Sequence, residues 1–179
     1  MNRTSQIAWV LFKTAIFTAL APYVVGLRLP EYVHQAFTHE TDAHTLAPSQ
    51  LFVLGVLLLL LGAVMYLWCA WDFAVKGMGT PAPIDAPKNL VINGIYRYVR
   101  NPMYLGVLCL IVSQAINFYS RPILVYLIFV GLCFHLFIVL YEEPHLRKVF
   151  GAQYEEYCRN VPRWIPRLRP FHDKPSSVQ

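Results

Sequence analysis

Apolar residues run almost unbroken through four stretches of the chain, roughly 6 to 27, 50 to 71, 102 to 118 and 122 to 141. A hydrocarbon core takes about 20 such residues wound as a helix. Polar residues gather between the runs instead of alternating within them. The pattern predicts an all-α, integral membrane helical bundle with four main transmembrane helices. The third run is short, bounded by Asn117 and by Arg121-Pro122, so it predicts a tight helical hairpin with the fourth. Beyond Pro144 the pattern changes. Leu146, Val149, Phe150, Tyr154 and Tyr157 recur at helical spacing among Arg147, Lys148, Glu155, Glu156 and Arg159, which predicts a C-terminal interfacial helix over about 145 to 159. Val161 to Arg167 then reads as an extended, basic, aromatic cap able to fold back over the helix ends.

The first run resembles a secretory leader, with Arg3 ahead of it and Ala19-Leu20-Ala21 as a small-x-small site. Lys13 interrupts it, Pro22 would follow the cut, and Val24, Val25 and Leu27 prolong it, so a retained helix is expected. Lys13 then snorkels to the near interface or faces a polar cavity. The second run, Leu51 to Trp71, reads as scaffold, its Gly55 and Gly62 spaced for close helix approach. Between Asp72 and Asn93, Gly77, Gly79, Pro81, Pro83 and Pro87 exclude a long helix, and Lys88 to Gly94 is expected to hold extended backbone. His34, His39 and His44 invite a metal, but spacings of five do not stack on one helix face and no ligand pattern supports them; no metal is expected.

Composition narrows the class. At 56% hydrophobic, 14% charged and a mean hydropathy of +0.43, the chain is too apolar for an ordinary soluble domain of 179 residues, and we treat 1–179 as one membrane domain. Cys69, Cys109, Cys133 and Cys158 show no paired spacing and read as small core residues. The net charge of +5 matters less than its placement. The 27 to 49 loop holds Arg28 against Glu31, Glu40 and Asp42, whereas the 72 to 100 loop holds Lys76, Lys88, Arg97 and Arg100, and the tail from 142 onward holds seven Lys or Arg. The positive-inside bias then puts both termini and the second loop in the cytoplasm, with the candidate chemistry on that face and membrane lipids, not nucleic acid, as partners.

Two polar sites interrupt the apolar pattern. Asn101-Pro102 reads as a helix start, with Asn101 as cap and Pro102 at the first helical position. Free N–H groups, the positive end of the helix dipole and Arg100 would converge there, a place to hold a carboxylate or phosphate or to anchor at the interface. The fourth run ends in Glu142-Glu143-Pro144. Two carboxylates near hydrocarbon and near a helix C-terminus call for a partner, either Arg100 or a ligand cation. Pro144 is expected to break or kink the helix beside them. His135, Ile138 and Glu142 stand at i, i+3 and i+7, so His135 would share the face of Glu142 inside the membrane.

Read together, Gly94-x-Tyr96-x-x-x-Arg100-Asn101-Pro102-x-Tyr104-x-Gly106 and Glu142-Glu143-x-x-Leu146, followed by Phe150-Gly151-x-x-Tyr154-x-x-Tyr157 and Val161-Pro162-Arg163, resemble the isoprenylcysteine carboxyl methyltransferase and phospholipid methyltransferase family. The resemblance covers Lys88 to Arg167, which it makes the cofactor-binding and catalytic half. It implies S-adenosylmethionine as cofactor at the cytoplasmic face, lined by Lys88, Asn89, Leu90, Val91, Tyr96, Arg100, Asn101, Pro102, Met103, Tyr104 and Glu142. The acceptor would be a lipophilic small molecule or a lipid-anchored group. Asn101 and Ile138 depart from the family's eukaryotic carboxyl methyltransferases, which carry His and Arg there, so an acceptor that is neutral or becomes cationic is favoured over prenylcysteine. An amine must also lose a proton, for which Glu142, Glu143 and His135 are the placed candidates. Two other classes stay open: a nicotinamide-dependent membrane lipid reductase, whose C-terminal pattern looks related, and a non-catalytic lipid-binding subunit.

Overall fold

The computed structural model describes residues 22–38, 48–77 and 89–171, together with Trp9, Phe12, Ala15, Ile16 and Leu20. Lys13, Lys88, His39 and His44, on which expectations fell, lie outside the described residues. Within them the protein is all-α. A π-helical turn, Val24–Arg28, leads into α1, Leu29–Phe37. The long α2, Ser49–Asp72, runs on through a second π-helical turn to Gly77. A 3₁₀ turn, Gly94–Arg97, precedes α3, Pro102–Asn117, and α4, Arg121–Phe137, continues through a π-helical turn, Ile138–Glu142, into α5, Glu143–Asn160.

Two helical rods, Ser49–Gly77 and Arg121–Asn160, are long and apolar enough to cross a membrane. Only 17% of the most apolar window of each is buried, so rows of Leu, Val and Phe face outward, as lipid-exposed surfaces do. The apolar part of the second rod ends at Tyr141. α3 is shorter and is the most enclosed of the three, with Ile111 and Ser113 fully buried.

α2 and α3 approach backbone to backbone. A Cβ on Gly62 would lie 2.7 Å from the Gly106 carbonyl oxygen, and one on Gly106 3.0 Å from that of Gly62. Gly55 sits against the Asn117 side chain. The expected glycine contact is therefore real, and its partner is the glycine that ends the Tyr104-Leu105-Gly106 motif. Gln114 donates to the Gly26 carbonyl and Tyr126 to that of Val25 (2.9 Å), which fastens the first π-helical turn to α3 and α4.

Two expectations need correction. Pro144 does not break the helix: the rod widens into the Ile138–Glu142 turn, where the Glu143 N–H reaches Ile138 O, five residues back. A turn of that width absorbs the donor that proline lacks. The kink falls instead at Gly151, with φ 52° and ψ −128°, a conformation open to glycine and costly for other residues. Asn101 precedes α3 as expected but makes no cap hydrogen bond; its Nδ2 donates to Arg163 O at 3.2 Å. Extended backbone is met at Asn93, just ahead of the 3₁₀ turn.

The tail closes the structure. Residues 161–171 run back along 97–100, with Arg100 N donating to Pro162 O (3.0 Å), Arg167 N to Tyr98 O (3.0 Å) and Phe171 N to Arg97 O (2.9 Å). Tyr154, Tyr157, Val161 and Phe171 form a small core with Leu90 and Ile92, so α5 packs on the protein through its aromatic face.

Candidate active site

Where α3 begins, a cavity of about 450 Å³ opens between the α2, α3 and α4 rods and the Val24–Arg28 turn. That volume falls within the usual range for small-molecule sites. Its polar end is made by Tyr96, Arg100, Asn101, Tyr104 and Glu142, and its apolar depth by Val25, Tyr66, Phe73, Met103, Val107, Phe134 and Phe137 among others. Segments some 40 residues apart in sequence thus meet on one wall.

The two adjacent glutamates have separate environments. Glu142 faces the cavity and accepts a hydrogen bond from Tyr104 Oη at 2.8 Å. Burial pushes its carboxyl above the ordinary value; the Tyr104 hydrogen bond works against this and the Glu143 charge adds to it. Glu143, 3% exposed, turns away from the cavity into a cage of arginines. Arg163 grips it through Nε to Oε1 at 2.7 Å and Nη2 to Oε2 at 3.0 Å, Arg100 Nη1 lies 3.0 Å from Oε1, and Arg147 Nη2 3.5 Å from Oε2. Burial pushes Glu143 up too, but the Arg163 hydrogen bonds and the charges of Arg100, Arg163 and Arg147 outweigh it and hold the carboxyl below its ordinary value.

Arg100 therefore does have a glutamate as counter-ion, and it is Glu143. Its Nη1 also faces Cys158 Sγ, while its Nε is buried with no hydrogen-bond partner among the described residues. His135 is not on the cavity wall. The π-helical turn inserts one residue between it and Glu142, which breaks the shared face, and its Nδ1 accepts from Trp164 Nε1 at 3.2 Å.

Tyr96, Pro102 and Met103 line the cavity. Leu90 and Val91 stand behind the wall, Val91 against Cys69 and Tyr96, and Leu90 in the core of α5. Asn89 is exposed, with its N–H on Gly77 O (3.3 Å) and its Nδ2 on Lys76 O (3.4 Å). The sequence did not single out Tyr66, Phe73, Phe134 or Phe137, and α2 is thus more than scaffold. Tyr66, the sole tyrosine of a Leu-rich helix, and the Phe134/Phe137 pair one turn apart were the available signals. Arg163 was noted as part of the cap and of the Val161-Pro162-Arg163 motif but not as a partner of Glu143, to which it makes the shortest contact.

The donor set fits S-adenosylmethionine. A sulfonium is stabilised by a nearby carboxylate and by aromatic faces, which Glu142, Tyr104, Phe134 and Phe137 supply. A ligand carboxylate has the Arg100 guanidinium on the cavity wall as a partner.

The family described as phospholipid methyltransferase matches residues 51–153, more than half of the chain, and the protein belongs to this family of S-adenosylmethionine-dependent membrane methyltransferases. Similar proteins include protein-S-isoprenylcysteine O-methyltransferase B of Arabidopsis thaliana, 32% identical over 77 residues, which are 43% of this chain and 39% of that protein. A probable protein-S-isoprenylcysteine O-methyltransferase of Oryza sativa subsp. indica is 34% identical over 77 residues, 43% of this chain and 40% of that protein. The Delta(14)-sterol reductase LBR of Gallus gallus is 28% identical over 81 residues, 45% of this chain and 13% of the reductase. The matches thus span about two-fifths of the methyltransferase relatives' length. No solved structure matches the chain.

Proposed function

We propose that the protein is a four-span membrane methyltransferase that transfers a methyl group from S-adenosylmethionine to a lipophilic acceptor, with its site at the cytoplasmic face. The observation that carries the reading is the cavity itself: motif residues from both halves of the pattern, Tyr96 to Tyr104 and Glu142, meet at the mouth of an apolar chamber. The charge distribution along the chain supports the orientation.

Bound there, S-adenosylmethionine supplies an electrophilic methyl group on a positively charged sulfur. Tyr104, Glu142, Phe134 and Phe137 hold the charged region, and Arg100 receives the ligand's carboxylate. Glu143 keeps Arg100 in place and, through Arg163, draws the tail across the polar end, which excludes water and favours aligned displacement. When the acceptor is a neutral amine or thiol, Glu142 takes the proton released as the new bond to carbon forms. Its raised affinity for a proton suits that role. His135, tied to Trp164, acts as a positioning residue for the tail. The apolar depth of the cavity takes the hydrocarbon part of the acceptor.

The likeness to the chicken sterol reductase favours one alternative, reduction of a lipid by a nicotinamide cofactor. Equilibrium binding in detergent separates the two. S-adenosylmethionine should bind at micromolar concentrations and NADPH should not; binding of NADPH alone would replace the first reading with the second.

A further inference from the structure

Two apolar side chains of the tail have no place in its small core. Ile165 is 78% exposed and Leu168 99%. The backbone around them is nonetheless pinned to residues 97–100, by Arg100 N on Pro162 O ahead of them and by Arg167 N on Tyr98 O and Phe171 N on Arg97 O further on. Pro166 fixes its own φ and confines Ile165 before it to extended backbone. Both side chains therefore stand out from a held segment as apolar projections.

Their level in the membrane follows from the residue next to them. Trp164 Nε1 donates to His135 Nδ1 at 3.2 Å. His135 precedes Tyr141, where the apolar part of the second rod ends, by six residues, about 9 Å along the helix at 1.5 Å each. The tail thus dips beside the lipid-facing surface of the rod before it returns to Arg167 and Phe171. Ile165 leaves the protein at that depth, where acyl chains, not water, are the neighbour.

Charge says which lipid. Residues 161–171 hold Arg163, Arg167 and Arg169 and no carboxylate. Glu143 takes Arg163, and Arg167 directs one donor to Asn160 O at 2.7 Å. Arg169, beside Leu168, is exposed and makes no ion pair among the described residues. An indole, two outward apolar side chains and two arginines within 164–169 match the layers of a membrane surface, with hydrocarbon below and phosphate above. A soluble protein could not reach the position beside Trp164 without displacing lipid.

We propose that residues 164–169 form a membrane-docking edge, with Ile165 and Leu168 seated among acyl chains and Arg167 and Arg169 on the phosphates of anionic phospholipids in the adjoining leaflet. The tail is then gripped from two sides, by Glu143 through Arg163 and by the bilayer. The edge is separate from the cavity wall and stands whether or not the methyl-transfer assignment does.

Spin labels on the full-length protein in lipid nanodiscs test this, with Cys133→Ser removing the exposed native thiol. A label at Leu168→Cys should collide more with oxygen, which concentrates among acyl chains, than with a water-soluble nickel complex. A label at Glu156→Cys, exposed on α5, should show the reverse. The oxygen preference at 168 should be stronger in discs containing phosphatidylglycerol than in phosphatidylcholine alone. Arg169→Gln should shift the ratio of inserted to withdrawn tail about fivefold toward withdrawal, the factor expected for one basic residue at an anionic surface, and high salt should act in the same direction. Nickel-dominated collisions at 168 in both lipids, or the same preference at 156 and 168, overturn the docking edge. An oxygen preference at 168 that neither phosphatidylglycerol nor Arg169→Gln alters overturns the phosphate contact. Should Leu168→Cys not fold, Ile165→Cys reads the same edge with the same expectations.

Discussion

Replacing Glu143 with Gln keeps the shape of the side chain and removes the charge that three arginines share. The loss is not equal among them. Arg147 and Arg163 have side chains 45% and 30% exposed and can turn to solvent, so their pairs are each worth less than about 1 kcal/mol. Arg100, whose side chain is 10% exposed, cannot turn away. Leaving it buried without its counter-ion costs about 3–5 kcal/mol, and the lower end is expected because the Gln oxygen still accepts one hydrogen bond. For a chain of this size about 3 kcal/mol corresponds to roughly 6–12 °C in Tm. The assay is thermal unfolding in detergent, paired with limited proteolysis after Arg163 and Arg167, because the same substitution removes one of the contacts that hold the tail.

The pH dependence follows from the same cage. The Glu143 carboxyl is held below its ordinary value, so its contribution is fully present above the unfolded value of about 4.3 and is lost as pH falls through the lower folded value. Wild type should keep a protected tail from pH 8 down to the ordinary carboxylate range and release it only in stronger acid. Glu143→Gln should lose this pH dependence, its tail cleaved faster at every pH while the backbone hydrogen bonds and the Val161 and Phe171 core still hold it. An unchanged Tm with a protease-resistant tail in Glu143→Gln would refute the argument that this buried charge organises the site.

Tyr104→Phe removes the donor to Glu142 and leaves the ring; methyl transfer should fall roughly 10- to 100-fold with Tm nearly unchanged, read by initial rates beside a melting curve. Gly106→Ala puts a Cβ 3.0 Å from the Gly62 carbonyl oxygen and 3.1 Å from Tyr66 Cβ, and should cost about 1–3 kcal/mol by parting α2 from α3, seen as a lower Tm. Gly94→Ala meets a φ of +54° and a Cβ position 2.7 Å from Asp72 Oδ2, and should cost at least about 1 kcal/mol in the same assay.

What was legible in the sequence was local and periodic. Pro102 and the polar Asn117 bracket α3 as the structure does, because proline at a helix start and a polar stop act within a turn of themselves. The aromatic face of α5 was legible from its spacing, and the meeting of the Tyr96 to Tyr104 segment with Glu142 from motif likeness. What was not legible depended on departures from ideal helical periodicity. One added residue in the Ile138–Glu142 turn separates His135 from Glu142, and no sequence period announces such a turn. It also decides which glutamate meets Arg100, a choice between neighbours that composition leaves degenerate. Asn101 gave the usual cap signal, but the returning tail outcompetes the helix N-terminus for its side chain. Tyr66 and Phe134 were hidden because an aromatic residue in an apolar run looks the same whether it faces lipid or a cavity.

Incubation of the purified protein with methyl-labelled S-adenosylmethionine and a membrane lipid extract tests the central claim most directly. Label should pass into the lipophilic fraction with wild type and fall to background with Glu142→Ala, a variant that still inserts and melts cooperatively. Label transfer unaffected by Glu142→Ala, or no transfer and no binding of S-adenosylmethionine by folded wild type, would contradict the account.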